Sequence, residues 1–328
     1  MLTIITQTGC SSSQEVEPVS KEGFYLDTVC TISVYEQDGA LDREKAETTI
    51  DKAYERCREL EKALSRTITS SDVSRINAAG GAWTEVGDDA LAVIKAGIHY
   101  GEISDGAFDI TIGPVSSLWD FEAQDPVVPA ASDIEEALTH VDYRQIQIDG
   151  SRVRLTDPEA ALDLGGIAKG YIADELADLL EEEGVTSAVV NLGGNIVTIG
   201  AKPDGTPFRI GIERPFTDRS EIVGSTALEN ETIVTSGIYE RQFEKDGKLY
   251  HHVLDSETGY PADTDLEAVS LVAARGHSMD IDAMSTITLM KGKEAGKAFI
   301  EAQDGIEAVF IDDEDRTTMT DDMDYEEQ

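Results

Sequence analysis

The chain has 328 residues, 40% of them hydrophobic, enough to bury a sizeable core, which excludes a disordered polypeptide. Its 26 basic and 66 acidic side chains leave a formal charge of −40. Such a chain is repelled by phosphate backbones and anionic lipid, so nucleic-acid and polybasic-membrane roles are excluded, and an anionic ligand needs a local positive device: a metal ion, a lysine or a helix N-terminus.

Residues Met1 to Gly9 carry no charge and lead to Thr8-Gly9-Cys10-Ser11-Ser12-Ser13. This is similar to a bacterial lipoprotein cleavage site, in which Cys10 would be acylated and residues 11–22 would form a polar tether. An ordinary N-terminal arm is the other reading, because no basic region precedes the short apolar stretch and Gln7 stands where such sites usually carry Leu. Cys10, Cys30 and Cys57 form neither a disulfide framework nor a CxxC pair. No apolar run approaches the ~18 residues of a membrane span.

The β-branched and aromatic run 24–35 predicts a strand, and Asp38-Gly39 a turn. Ile50, Ala53, Tyr54, Cys57, Leu60 and Leu64 recur at helical spacing, so residues 42–64 read as an amphipathic helix with Cys57 on its buried stripe. A polar loop with short helical potential covers 65–77, and Leu91, Ile94 and Ile98 mark another helix ending near Gly101. Ser132 to Glu135 reads as a capping box opening a helix to about His140. Residues 146–150 and 153–155 form a hairpin. A strand ends at Leu162–Gly166, and a helix follows to a C-cap at Gly184. Strands are expected at 187–191, 196–199, 208–212, 232–235, 250–254, 268–273 and 309–312, with helices at 279–290 and 293–303. From Asp312 onward nine acids face one Arg, which reads as a disordered tail. The divisions are thus a signal and tether segment at 1–22, a main domain at 23–312 and a tail at 313–328. Strands come in pairs as well as alternating with helices, which favours α+β with mixed, largely antiparallel sheets over a doubly wound fold.

Several segments carry chemistry. Asp163-Leu164-Gly165-Gly166-Ile167-Ala168-Lys169-Gly170 joins a strand end, two glycines and a helix start. It offers free backbone N–H groups and a mobile cation for a phosphate, or else is a tight turn with a salt-bridging lysine; it matches neither a P-loop nor GxGxxG. Asp282 and Thr286 are i and i+4 on a helix, so their oxygens share a face. That pair suits Mg²⁺, or else Asp282 balances the helix dipole. His251 and His252 are adjacent in a strand and face opposite ways, so one of them serves a cleft or both lie on a solvated edge.

The order of these segments resembles the ApbE-type FAD:protein FMN transferases. The matching segments are Ser65-Arg66 with Ser74-Arg75-Ile76-Asn77, then 105–121 (DGAFDITIGPVSSLWDF), 163–180 (DLGGIAKGYIADELADLL), 189–196 (VVNLGGNI), 235–243 (TSGIYERQF), 250–261 (YHHVLDSETGYP) and 282–286 (DAMST). The chain departs from the family at Ser256, usually Pro, at Leu26-Asp27-Thr28, usually Met-Gly-Thr, and at Ile238, often Asp. The resemblance implies a two-lobed, T-fold-related architecture. It also implies Mg-dependent transfer of FMN from FAD, as substrate, to a threonine or serine of a target flavoprotein, with release of AMP. It implies Mg²⁺ held by Asp282, Thr286 and the Gly166 carbonyl. FAD would be contacted by Asp163, Lys169 and Leu26, with Ala107, Phe108 and Asp109 lining the flavin or adenine pocket. His252, selected by the family's His-x-x-Asp pattern, would be the base. The implied acceptor is an exported flavoprotein with a D-x-x-x-[ST]-G-A-[ST] motif, and the implied location is extracytoplasmic, with a lipid anchor at Cys10. The same residues also fit a metal-dependent FAD pyrophosphatase giving FMN and AMP, or a non-catalytic FAD-binding lipoprotein.

Overall fold

The computed structural model describes residues 17–217 and 221–328; the Cys10 segment lies outside the described residues. An eight-stranded sheet forms the centre, in the order Val19–Tyr25, Thr28–Gln37, Val185–Leu192, Asn195–Ile199, Glu231–Gly237, Leu266–Ala274, Glu307–Asp312 and Thr317–Met319. Every neighbouring pair is antiparallel, so the α+β expectation with antiparallel sheets holds. Strand alternation separates two cores. Val234, Val269 and Leu271 point into the larger core, while Ile233, Ala268 and Val272 point into a smaller one on the opposite face.

Helices Arg43–Leu64, Ala168–Glu182 and Ser278–Glu301 cover the larger core. The first buries Ile50, Ala53, Tyr54, Cys57, Leu60 and Leu64, the stripe its spacing predicts, and Asp42 caps it by accepting from the Lys45 N–H at 3.1 Å. The second ends as expected at Gly184, whose φ of +87° only glycine tolerates well; a Cβ there would also collide with Asp38. The third is broken at Gly292 (φ 74°, ψ 177°), which reproduces the two successive helices read from the sequence. The opposite face is covered by a small sheet of Phe208–Glu213, Ile222–Leu228 and Glu326–Glu327. A satellite cluster of Val115, Trp119, Ile134, Ala137 and Phe243 lies apart from both.

The structure corrects several expectations. Residues 162–166 form no strand: the Asn77 side chain takes both the N–H and the carbonyl of Leu162, at 2.7 and 3.0 Å, so no ladder forms there. The capping box is not made. Ala131 is already helical and Ala130 is the N-cap, which puts Ser132 inside the first turn. The strand expected over 250–254 is Lys248–His251, ending before His252. The acidic C-terminus is ordered. Thr317–Met319 pairs with Val309–Ile311, Met323 is buried in the smaller core, and Glu326–Glu327 adds to the small sheet. Asp312 is buried there, yet Lys293 at 2.9 Å and Arg316 at 3.0 Å hold its carboxyl far below the usual range.

Candidate active site

A cleft of about 640 Å³ opens between the larger core and the aromatic satellite. All ten residues singled out from the sequence line it: Leu26, Ala107, Phe108, Asp109, Asp163, Gly166, Lys169, His252, Asp282 and Thr286. His251 does not. Leu26, Ala107 to Asp109, Asp163, Gly166 and His252 reach it from turns and loops, and Lys169, Asp282 and Thr286 from helices Ala168–Glu182 and Ser278–Glu301.

The glycine-rich segment turns tightly because each small residue has a neighbour in its way. A Cβ on Gly170 would collide with the Ser278 carbonyl, so glycine lets the start of helix Ala168–Glu182 touch the start of helix Ser278–Glu301. At that contact the Gly170 N–H donates to Asp282 Oδ2 at 2.8 Å. A Cβ on Gly166 would sit 3.0 Å from Phe108 and 3.6 Å from Thr286 Oγ1. Asp282 is 4% exposed, not the solvated side chain a surface ligand would be. Burial pushes its carboxyl up, and Lys169, the Gly170 N–H and the Asn195 amide pull it back. Lys169 makes no ion pair among the described residues, which removes the salt-bridging alternative. Its charge acts on Asp282 and on His252.

Asp163 is held on both oxygens. Oδ1 accepts from the Gly165 N–H at 3.0 Å; Oδ2 accepts from Ser116 Oγ at 2.7 Å and faces Arg66 Nε at 3.3 Å. Asp109 borders the cleft, but its carboxylate serves the loop: Oδ1 takes the Thr111 N–H and hydroxyl, Oδ2 the Tyr143 N–H. Burial pushes Asp109 up against those bonds. Leu26 and Asp27 form the tip of the first hairpin at φ 56° and 57°, and the Leu26 N–H donates to Glu61 at 2.8 Å.

The two histidines differ, His251 closing the strand and His252 lying just beyond it. His251 is 5% exposed and bonds the Ala262 carbonyl through Nε2 at 3.2 Å. His252 faces the cleft, and its Nδ1 is buried without a partner among the described residues. Both imidazoles lie well below the usual histidine range, at about 4: His251 through burial, His252 through burial and then Arg241, His251 and Lys169. His252 therefore departs from the ordinary imidazole value near 6.5. Asp255 does not orient His252; its Oδ1 caps the next turn through the Glu257 and Thr258 N–H groups.

Sequence reasoning assigned no role to Arg66, Ser116 or Ser256. Ser256 donates to the Gly106 and Ala107 carbonyls, at 2.5 and 3.1 Å, and so fixes the loop carrying Phe108. Only the position of Arg66 and Ser116 inside matching segments could have pointed to them. Trp119 ties the satellite together, its indole N–H donating to the Gly259 carbonyl at 3.1 Å.

A model of the ApbE family matches residues 26–310. The chain belongs to the ApbE family. It is 35% identical to an FAD:protein FMN transferase of Klebsiella pneumoniae over 283 residues, 85% of this chain and 84% of that protein. It is 32% identical to one of Treponema pallidum, covering 92% of this chain and 86% of that protein. The crystal structure of the ApbE protein of Thermotoga maritima superposes with a TM-score of 0.83 at 30% identity, covering 93% of this chain and 97% of that one. The ApbE flavin transferase of Vibrio cholerae gives 0.80 at 28% identity, covering 93% and 96%.

Proposed function

We propose that this ApbE-family chain is a transferase that moves FMN from FAD to the hydroxyl of a threonine or serine in a target flavoprotein, releasing AMP. One observation carries the reading: Asp163, Gly166 and Lys169, His252, and Asp282 and Thr286, from three segments far apart in sequence, line a single cleft. In the reaction the acceptor oxygen forms a bond to the FMN phosphorus. The bond from that phosphorus to the bridging oxygen breaks, and AMP leaves with the bridging oxygen. His252 takes the acceptor proton. It is neutral at pH 7 and faces the cleft, so a site for that proton is open. Lys169 supplies positive charge to the pyrophosphate in a chain of net charge −40. Asp163 orients the cofactor.

The Asp282 carboxylate, the Thr286 hydroxyl and the Gly166 carbonyl are hard oxygen donors, a set whose chemistry fits Mg²⁺, and a Cβ on Gly166 would come within 3.6 Å of the Thr286 hydroxyl oxygen. Bound there, the cation would neutralise charge on the pyrophosphate oxygens. We further propose export and a lipid anchor on Cys10, with an acceptor carrying D-x-x-x-[ST]-G-A-[ST]. The motivating feature is Thr8-Gly9-Cys10-Ser11; unmodified Cys10 in a cytoplasmic fraction, by mass spectrometry, would overturn the anchor.

The test of transfer is to incubate the protein with FAD, Mg²⁺ and a motif-bearing peptide. Covalently flavinylated peptide with AMP supports the reading. FMN and AMP beside unmodified peptide would make the chain an FAD pyrophosphatase, and tightly held FAD with no AMP would make it a binding protein.

A further inference from the structure

The segment 65–77 matches the family yet has no role in the chemistry above. Its backbone is fixed by its own hydroxyls. Ser71 caps helix Asp72–Ala78 and donates to the Ser65 carbonyl at 2.5 Å, and Ser74 Oγ donates to the Arg66 carbonyl at 2.9 Å. Both ends of the segment then grip two consecutive residues of the cleft. Asn77 pairs with the Leu162 backbone in both directions, as a neighbouring strand would. Arg66 reaches Asp163 Oδ2 at 3.3 Å while its Nη1 donates to Ser117 Oγ at 2.9 Å. Beyond the single bond from the Asp163 N–H to the Ile110 carbonyl at 2.8 Å, the loop 162–166 has no ladder to define it, and Gly165-Gly166 add freedom. A forked guanidinium held at two points is a rigid brace for one carboxylate orientation.

We infer that Arg66 is a positioning residue that sets the direction in which Asp163 meets the cofactor, with segment 65–77 as its splint. The inference rests on the reading of Asp163 as an FAD contact. With Oδ2 occupied by Arg66 and Ser116, the remaining acceptor capacity lies on Oδ1, beside the Gly165 N–H. Without Arg66, Asp163 keeps only Ser116 on Oδ2 and rotates more freely, so an ordering cost moves from folding to FAD binding.

The experiment is a double-mutant cycle on FAD affinity, read by flavin fluorescence titration in the absence of acceptor, with thermal melts on the same proteins. Arg66→Ala should raise the FAD dissociation constant about 10-fold, the cost of ordering one side chain on binding, with the melting temperature little changed. Arg66→Ala with Asp163→Ala should bind FAD no worse than Asp163→Ala alone. Losses that multiply in the double variant, or unchanged affinity in Arg66→Ala, would overturn the inference while the transfer reading stands. Wild-type protein that does not bind FAD would overturn both.

Discussion

The two walls of the cleft are built differently. One is made of helix starts backed by the central sheet. Gly166, Lys169, Asp282 and Thr286 sit where helices Ala168–Glu182 and Ser278–Glu301 touch, and the larger core lies directly behind. The other belongs to the satellite, where Trp119 stacks on Phe121 at 5.5 Å and Phe243 on Tyr250 at 5.2 Å, and His252 follows the short strand Lys248–His251. The first wall fixes charge and oxygen donors in a pre-organised frame; the second carries the proton acceptor on a smaller body. A reaction with a large cofactor and a protein acceptor gains from that division. The cofactor's charge meets a rigid surface, and the acceptor meets the group that must follow its hydroxyl.

Removing the centre of the rigid wall has the largest expected effect. Asp282→Ala should abolish both divalent-cation binding and FMN transfer, a loss of about 10³-fold or more if several kcal/mol of charge stabilisation go with it. The fold should persist, because the side chain lost is a buried carboxylate that burial itself disfavours. Isothermal titration with Mg²⁺ and a flavinylation assay check this. Full transfer by the variant in the presence of EDTA would remove the metal from the rigid wall.

On the satellite wall, His252→Ala should slow transfer by about 10²–10⁴-fold and leave FAD affinity nearly intact, because a proton acceptor contributes to the chemical step. His251→Ala should be mild in chemistry. The free enzyme holds His252 neutral down to about pH 4, so the acid limb of kcat/KM should lie below pH 6.5. Stability is expected to move in the same window. The unfolded chain protonates both imidazoles near pH 6.5, whereas the native chain resists until about 4, so the unfolded state binds more protons between those values. Stability therefore falls as the pH drops from 6.5 toward 4, by up to about 3 kcal/mol for buried His251. Denaturant melts of wild type and His251→Gln at pH 7 and 5 measure it: the variant should lose less.

Lys169→Ala tests the rigid wall's charge alone. One charge-assisted contact is worth about 1.5–3 kcal/mol, so the FAD dissociation constant should rise about 10- to 150-fold. With no ion pair at Lys169 among the described residues to break, unchanged affinity would mean that the cofactor does not reach this lysine.

Much of this was legible in the sequence because periodicity and glycine position carry it. The stripe of helix Arg43–Leu64, the break at Gly292 and the cap at Gly184 follow from spacing and φ alone. The cleft residues were found through family motifs. Three things were not legible. The Leu162–Gly166 strand failed because a side chain, Asn77, took the role of a strand partner. The ordered acidic C-terminus depends on a cation from another helix, Lys293, and on β-branched Thr317 and Thr318, which charge density masks. The depressed state of His252 depends on its burial by the fold and then on Arg241 and Lys169 converging from other segments. Each is a long-range contact with no local signal.

The smallest expected effect lies at the rim of the sheet-backed wall. Leu26 and Asp27 join two strands in register from Val19↔Val34 to Tyr25↔Thr28, and both sit at positive φ. A two-residue hairpin needs that conformation to match strand twist, and glycine is the residue that meets it without strain. Asp27 tolerates it at a cost. Asp27→Gly relieves that strain, but it also gives the unfolded chain more freedom, so the two terms partly cancel. A net stabilisation of about 0.5 kcal/mol is expected, measured as a rise in the denaturant midpoint at constant slope. A fall in the midpoint would mean that the Asp27 carboxylate makes a contact worth more than the strain, and that this tip of the rigid wall is held by its side chain as well as by its strands.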